Sequence, residues 1–174
     1  ISDSKFCFHL AKKYKVNCSY NRPKYLSLDN TSLIDNLIHF NDVIKNKIEF
    51  KYYVILQPTS PLRSKRDIFE SIKEFKNKKF ESLYSISPSF EHPFDTLALD
   101  SKKFRNFNKK KKLRRQLYPK SFFINGAIYI FNKELLKKKI FYSKKKDGYF
   151  VMKKINSIDL DDYQDLELLK KLIK

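Results

Sequence analysis

Apolar residues recur at regular spacings along the chain, and the spacing predicts where helices and strands lie. Between residues 4 and 14 they return every three or four positions, which predicts an amphipathic helix. Ser32 and Asp35 are spaced as a capping box at the start of a second helix. A C-terminal helix is predicted from near Asp161, and residues 16–20 are predicted to form a short strand.

The middle of the chain has the pattern of a βαβ unit. The continuous apolar run 52–56 predicts a strand buried on both faces, and residues 82–86 predict a second strand. Between them, Ser64 and Asp67 are spaced to cap a helix. Such crossovers join parallel strands, so we expect an α/β protein with a three-layer, Rossmann-like fold and a mostly parallel sheet. Two more strands are predicted at 127–131 and 149–152, and a short helix is predicted between them at 134–138.

Residues 101–119 interrupt this alternation of strands and helices. Phe104 and Phe107 lie among basic residues, and four consecutive lysines occupy positions 109–112. We interpret the segment as an excursion from the sheet, with the lysines on a solvated face.

Length and composition narrow the class of protein. The chain has 174 residues, enough for one domain with a core. Its apolar runs are all much shorter than the ~20 residues that cross a bilayer, so we expect no membrane contact. The cysteines, Cys7 and Cys18, are too few for a disulfide framework, which favours the cytoplasm. Apolar neighbours predict that Cys7 belongs to the core.

A formal net charge of +19 raises the possibility of a nucleic-acid-binding protein. Lysine is spread through the whole chain, however, and enzymes that bind triphosphates and sugar acids also need positive charge. We therefore do not expect nucleic acid to be the main partner, although the basic segment 102–120 keeps that alternative open.

Ligands of open parallel sheets bind beyond the carboxyl ends of the strands. The segments 57–63, 87–94 and 159–162 follow predicted strands and are expected to line one crevice. His92 lies in the second of them and is predicted to shape its loop rather than to act as a base. The first segment offers an amide, two hydroxyls and a guanidinium, from Gln57, Thr59, Ser60 and Arg63. The alternative is a capped loop whose polar groups serve only the next helix.

Asp159 and Asp161 alternate in sequence, so their carboxylates can point the same way. Hard oxygen ligands suit Mg²⁺, which would keep water and phosphate oxygens as its other ligands. The alternative is that these acids, together with Asp162, only cap the C-terminal helix.

Five segments resemble, in the same order, motifs of the acylneuraminate cytidylyltransferases, also called CMP-sialic acid synthetases. The most specific is the octapeptide Leu-Gln-Pro-Thr-Ser-Pro-Leu-Arg at 56–63. The others are Ser-Asp-Ser with Ala-Lys-Lys-Tyr at 2–14, Arg-Pro with Asp, Thr, Ser and Asp at 22–35, Arg-x-Gln-Leu with Asn-Gly-Ala-Ile-Tyr-Ile at 114–130, and Ser-Ile-Asp-Leu-Asp at 157–161. The resemblance covers essentially the whole chain.

The resemblance implies transfer of CMP from CTP to the anomeric hydroxyl of a sialic-type nine-carbon keto acid, with release of pyrophosphate. It implies Mg²⁺ on Asp159 and Asp161, and a homodimer in which residues 91–124 form the contacting arm. The nucleotide-side residues that it implies are Arg22, Asp29, Thr31 and Ser32. Those on the sugar side are Gln57, Thr59, Ser60, Arg63, Arg114, Gln116, Asn125 and Tyr129, of which Gln57 is also placed at the reacting centre.

Two departures from the family pattern leave alternatives open. The family opens with a strand and a glycine-containing basic loop for the triphosphate, whereas the glycines here are Gly126 and Gly148, and neither lies in such a loop. We therefore expect an N-terminally truncated domain over residues 1–174 that does not turn over CTP alone, or an inactive binding module. Asp95 stands where relatives tend to be basic. The resemblance does not choose among sialic, pseudaminic and legionaminic acids or exclude the related octulosonate enzymes.

Overall fold

The computed structural model describes residues 2–18, 20–28, 30–46, 48–106 and 114–173. The helices are α1 (Lys5–Lys13), α2 (Leu33–Ile44), α3 (Lys65–Asn77), α4 (Glu134–Lys137) and α5 (Tyr163–Leu172). The strands are β1 (Tyr52–Leu56), β2 (Ser82–Pro88), β3 (Leu97–Asp100), β4 (Lys103–Asn106), β5 (Phe122–Asn132) and β6 (Asp147–Val151). Short 3₁₀ turns occur at Lys24–Leu26, Pro93–Asp95, Arg115–Leu117 and Lys154–Ser157.

The main sheet has the strand order β1-β5-β2-β6. Strands β2 and β6 are parallel, in a register that runs from Ser82 opposite Asp147 to Ile86 opposite Val151. Strand β5 runs against β2, because Ser85 contacts Ile128 while Ser89 contacts Ser121. The predicted Rossmann-like α/β class is confirmed, with β5 as the strand that reverses direction.

The chain divides into two compact units. The first comprises Ile1–Tyr53 and Phe131–Lys145, and the second comprises Val54–Ile130 and Lys146–Lys174. In the first unit Tyr53 stacks on Phe131 with ring centroids 5.3 Å apart, and its hydroxyl donates to Asn41 Oδ1 at 3.0 Å. Burial raises the pKa of Tyr53 to about 12. This pairing of an aromatic stack with a satisfied hydroxyl holds the first unit's core together.

The core of the second unit lies around β2 and β5. Both faces of β2 are buried along most of its length; β5 and β6 flank its two edges, and α3 packs against it. The expectation that β1 is buried on both faces is wrong. Tyr53 is the one buried residue of that strand, because β1 is an edge strand in the part of the sheet that the structure describes.

The predicted helix starts are largely confirmed. Ser64 and Asp67 form a complete capping box at α3. Ser32 accepts the backbone N–H of Asp35, as predicted, but the Asp35 carboxylate accepts the Ser32 hydroxyl, so that box is only half formed. The C-terminal helix begins at Tyr163, two residues later than the pattern indicates.

Two predictions near the N-terminus are wrong. The described residues between 16 and 20 form no strand, and the pairing nearby is one isolated bridge between Ser2 and Asn21. Cys7 is exposed rather than part of the core, because none of the residues of α1 is buried among those that the structure describes.

Residues 97–106 form a separate antiparallel hairpin, β3-β4, outside the main sheet. This agrees with an excursion from the sheet. One face of the hairpin pairs Leu99 with Phe104, and the other pairs Ala98 with Arg105. Phe107 and the lysines at 109–112 lie outside the described residues. In the part of the chain that the structure describes, we find no helix long and apolar enough to span a membrane.

Candidate active site

The loop 57–63 leaves β1 as two successive turns. The backbone N–H of Ser60 donates to the Gln57 carbonyl at 3.3 Å, and that of Arg63 donates to the Ser60 carbonyl at 3.4 Å. The Ser60 side chain is buried, and its hydroxyl has no hydrogen-bond partner among the described residues. Both turns of the loop are therefore closed by backbone hydrogen bonds.

Arg63 serves the loop itself. Its Nη1 donates to the Gln57 carbonyl at 3.0 Å and to the Ala127 carbonyl at 2.7 Å, which ties the loop to strand β5. Burial lowers the pKa of this guanidinium. These contacts engage Nη1 of the guanidinium with the loop and with β5, and neither carbonyl belongs to the helix that follows the loop.

The acidic segment 159–162 meets the loop directly. The backbone N–H of Leu160 donates to the Thr59 carbonyl at 2.8 Å. Asp159 is half-buried, and its Oδ1 is buried without a hydrogen-bond partner among the described residues. Asp161 is exposed. Two of the three segments expected to line one crevice are therefore in contact.

Capping of α5 is carried out by other acids. Asp162 accepts the backbone N–H groups of Gln164 and Asp165, and the Asp165 carboxylate accepts those of Asp161 and Asp162. This is a complete capping box. The capping alternative is therefore correct for Asp162, whereas the carboxylates of Asp159 and Asp161 take no part in the box.

Tyr129 and Gly126 bring β5 close to Asp159. Burial and the Asp159 charge both raise the pKa of the Tyr129 hydroxyl. Gly126 has φ +74°, and a Cβ built there would lie 3.9 Å from Asp159 Oδ2. The space is sufficient, but the left-handed backbone favours glycine. The next two residues, Ala127 and Ile128, are both fully buried.

Asn125 is a buried structural group in this structure. It accepts from the Ser85 hydroxyl at 2.6 Å and donates to Ser87 Oγ at 3.3 Å. Its Oδ1 also accepts the backbone N–H of Ala127 at 3.1 Å. With 4% of its surface exposed and both polar atoms occupied, Asn125 is poorly placed to reach the sugar predicted for it.

An open groove of about 790 Å³ follows the end of β2. Its walls include His92, Arg115, Tyr118 and Lys120. His92 Nδ1 accepts the Phe94 N–H at 3.1 Å while Nε2 lies 3.0 Å from the Pro119 carbonyl, so the ring is satisfied by backbone groups on both sides. These contacts confirm that His92 shapes its loop.

Arg115, rather than its predicted neighbour Arg114, is fixed at the groove. Its Nε donates to Asp95 Oδ2 at 2.9 Å, and the Tyr118 hydroxyl donates to Asp95 Oδ1 at 3.0 Å. The Arg115 hydrogen bond holds the pKa of Asp95 below its ordinary value. Sequence reasoning missed this pair, although an unexpected acid at Asp95 was the available signal. Arg114 and Gln116 are exposed.

The four nucleotide-side residues belong to the first unit by sequence position. Arg22 forms an ion pair with Asp3 at 2.5 Å, which lowers the pKa of Asp3, and its buried Nε has no hydrogen-bond partner among the described residues. Thr31 donates its hydroxyl to the Tyr25 carbonyl at 3.4 Å, and Ser32 caps α2. Asp29 lies outside the described residues.

Carboxylate oxygens such as those of Asp159 and Asp161 are of the kind that suits a hard cation. One buried carboxylate oxygen is unpartnered, and a second acid follows two residues later. Within the described ranges, no group of three or more His, Cys, Asp or Glu side chains could hold a metal ion. A pair of carboxylates suits Mg²⁺, which is usually bound by one or two of them together with water and substrate phosphates.

No protein-family model matches the chain. It is 26% identical over 178 residues to a protein named post-translational flagellin modification protein B from Campylobacter coli, a match covering 99% of this chain and 75% of that protein. It is 29% identical over 167 residues to an N-acylneuraminate cytidylyltransferase from Streptococcus agalactiae serotype V, covering 94% of this chain and 39% of that enzyme. A third match, over 157 residues at 29% identity, is the N-acylneuraminate cytidylyltransferase of Escherichia coli O18:K1:H7, covering 84% of this chain and 35% of that enzyme.

The fold is of the α/β class, and two of these matches are to nucleotidyltransferases by name. The predicted resemblance to the acylneuraminate cytidylyltransferases is confirmed by relatives that carry that name. The chain spans less than half the length of these two cytidylyltransferases.

Proposed function

We propose that this chain contributes to transfer of CMP from CTP to a sialic-type nine-carbon keto acid. In this reaction the anomeric oxygen forms a bond to the α-phosphorus, the bond to pyrophosphate breaks, and the hydroxyl proton is released. Such transfers depend mainly on positioning and on neutralising phosphate charge. The similarity to two named N-acylneuraminate cytidylyltransferases supports this choice of nucleotide and acid.

The observation that carries the proposal is the unpartnered carboxylate oxygen of Asp159, in a segment that contacts loop 57–63. A buried carboxylate oxygen without a donor is costly to leave unsatisfied. Helix capping does not account for it, because Asp162 and Asp165 form the capping box. A ligand of positive charge does account for it.

Asp159 and Asp161 would hold Mg²⁺. When bound, this ion would neutralise phosphate charge and favour ionisation of the attacking hydroxyl. Gln57 is half-buried at the start of the loop, and we assign its side chain to the sugar. Thr59 would support the same side, while Arg63 would keep the loop in place through its two carbonyl contacts.

Several parts of the proposal rest on the resemblance. Arg22, Asp29, Thr31 and Ser32 remain the residues proposed for cytidine. Arg114 and Gln116, both exposed, remain proposed for the sugar acid. A homodimer with residues 91–124 as its contacting arm, and action in the cytoplasm, also remain predictions.

The test is release of pyrophosphate from CTP. The 174-residue chain and the longest natural form that contains it would each be incubated with Mg²⁺ and a panel of nine-carbon acids. We expect the natural form, and not the 174-residue chain alone, to release pyrophosphate with one acid. Adding a chelator or substituting Asp159→Asn should abolish that release. Matched controls are GTP in place of CTP and the exposed-site variant Asn77→Ala. Failure of the natural form with every acid would contradict the proposal.

Pseudaminic acid is the second candidate acceptor. The resemblance leaves this acid open, and the match to the flagellin modification protein is compatible with it. The same panel separates the two, because the preferred acid should give the higher kcat/KM. Legionaminic acid belongs in the panel as well.

A further inference from the structure

Asp159 has no hydrogen bond to orient its buried Oδ1. The backbone on either side of it therefore contributes to its placement. Two hydrogen bonds fix that backbone. One is the contact from the Leu160 N–H to the Thr59 carbonyl at 2.8 Å, immediately after Asp159. The other involves Asn156, three residues before it.

Asn156 Nδ2 donates to Asp67 Oδ2 at 2.9 Å. That same oxygen accepts the Ser64 N–H at 2.9 Å and the Ser64 hydroxyl at 2.6 Å, so it belongs to the capping box of α3. Asp67 is 9% exposed. The chemistry fixes the orientation of the Asn156 amide, because only its NH₂ group can face a carboxylate that accepts hydrogen bonds.

Both contacts join the segment 156–160 to the stretch of chain that runs from the loop 57–63 into the start of α3. Residues 156–160 are tied to Thr59 within the loop, and to Asp67 just beyond the loop, where α3 begins. All of these residues belong to the second unit. The intervening Ser157 is 2% exposed and donates its hydroxyl to the Lys154 carbonyl at 2.8 Å, which further fixes the turn before Asp159.

We infer that Asn156 and Asp67 are positioning residues that hold Asp159 for a divalent cation. The inference rests on the proposed function, since it assigns a purpose to the metal site proposed there. Loss of a partner that is hydrogen-bonded to a metal ligand typically weakens metal binding by about 10–100-fold. Asn156 acts on the ligand only through the backbone, so its effect should lie at the lower end of that range. A purely structural contact would alter stability without that effect.

The experiment measures Mn²⁺ binding to the full chain by paramagnetic resonance, without nucleotide. We expect Asn156→Ala to weaken Mn²⁺ affinity by about tenfold. Asn156→Gln keeps the amide and should recover part of that loss. Asn77→Ala, at the exposed end of α3, is the matched control and should bind as the parent does. Asp159→Asn gives the Mn²⁺ affinity that remains when the proposed site is removed.

Amide hydrogen exchange without metal supplies an independent measurement. In Asn156→Ala the Leu160 amide should exchange faster, because one of the two ties beside it is lost. If Asn156→Ala does not fold, Asp67→Asn replaces it, since it keeps the shape of the acceptor and removes its charge. Asp67→Asn should also weaken Mn²⁺ binding.

The outcomes separate this inference from the proposed function. If the parent binds Mn²⁺ through Asp159 and Asn156→Ala binds it equally well, the positioning role is overturned and the proposed metal site stands. If the parent and Asp159→Asn bind Mn²⁺ alike, the metal site itself is overturned, and the positioning role with it. Weaker binding in Asn156→Ala with recovery in Asn156→Gln supports both.

Discussion

The backbone N–H of Leu160 donates a 2.8 Å hydrogen bond to the carbonyl oxygen of Thr59. This contact joins a loop that follows β1 to a segment more than ninety residues further along the chain. It places the half-buried Asp159 beside the loop that carries the most specific sequence motif. Four predictions follow from the contacts around this point and from other tightly packed positions.

Asp159→Asn should stabilise the metal-free protein. The parent carries a carboxylate oxygen that is buried without a donor, and removing its charge reduces the cost of that burial. We expect the free energy of unfolding to rise by about 1 kcal/mol. Urea denaturation in the presence of a chelator measures this change. Asp162→Ala is the contrasting variant, because it removes a helix cap and should lower stability by about 1 kcal/mol. Equal effects of the two substitutions would contradict the assignment.

Arg63→Ala should destabilise the second unit. The substitution removes the donor that serves the Gln57 and Ala127 carbonyls. We expect a loss of about 2–3 kcal/mol in the free energy of unfolding, since hydrogen bonds from charged groups contribute more than neutral ones. Arg66→Ala, at an exposed position on α3, is the matched control and should change stability by less than about 0.5 kcal/mol. Similar losses in both variants would show that Arg63 has no special role.

The ion pair between Asp95 and Arg115 should break when the pH is lowered. The folded-state pKa of Asp95 is lowered by its hydrogen bond from Arg115, so the pair is intact above the ordinary carboxyl range. It should be lost as the pH falls below about 4, through that lowered pKa. Carboxyl carbon NMR of Asp95 measures the titration directly. In Arg115→Gln the pKa should move up towards its ordinary value, and an unchanged titration would refute the pairing.

Gly148→Ala should destabilise the pairing of β6 with β2. A Cβ at Gly148 would overlap the ring of Phe80, so either the strand or the ring must move. Overpacking of this kind typically costs about 1–3 kcal/mol. Thermal unfolding measures the loss, and Phe80→Leu in the Gly148→Ala background should recover part of it. If the double variant is no more stable than Gly148→Ala, the overlap is not the cause.

Local sequence signals determined the elements. Capping residues fixed the start of α3 through Ser64 and Asp67, and apolar periodicity located α1, β2 and β6 to within a few residues. These features depend on contacts between near neighbours in the chain, which is why the sequence alone is sufficient for them. The ordered motifs also indicated the class of protein, and the named relatives agree.

Only the tertiary structure decided which polar groups find hydrogen-bond partners within the chain and which do not. It placed β5 between β1 and β2, which buries Asn125 within a satisfied network. It assigned helix capping to Asp162 and left an oxygen of Asp159 without a partner. Sequence spacing cannot separate these acids, because burial and hydrogen bonding depend on chain segments that are distant in sequence and meet only in the folded protein.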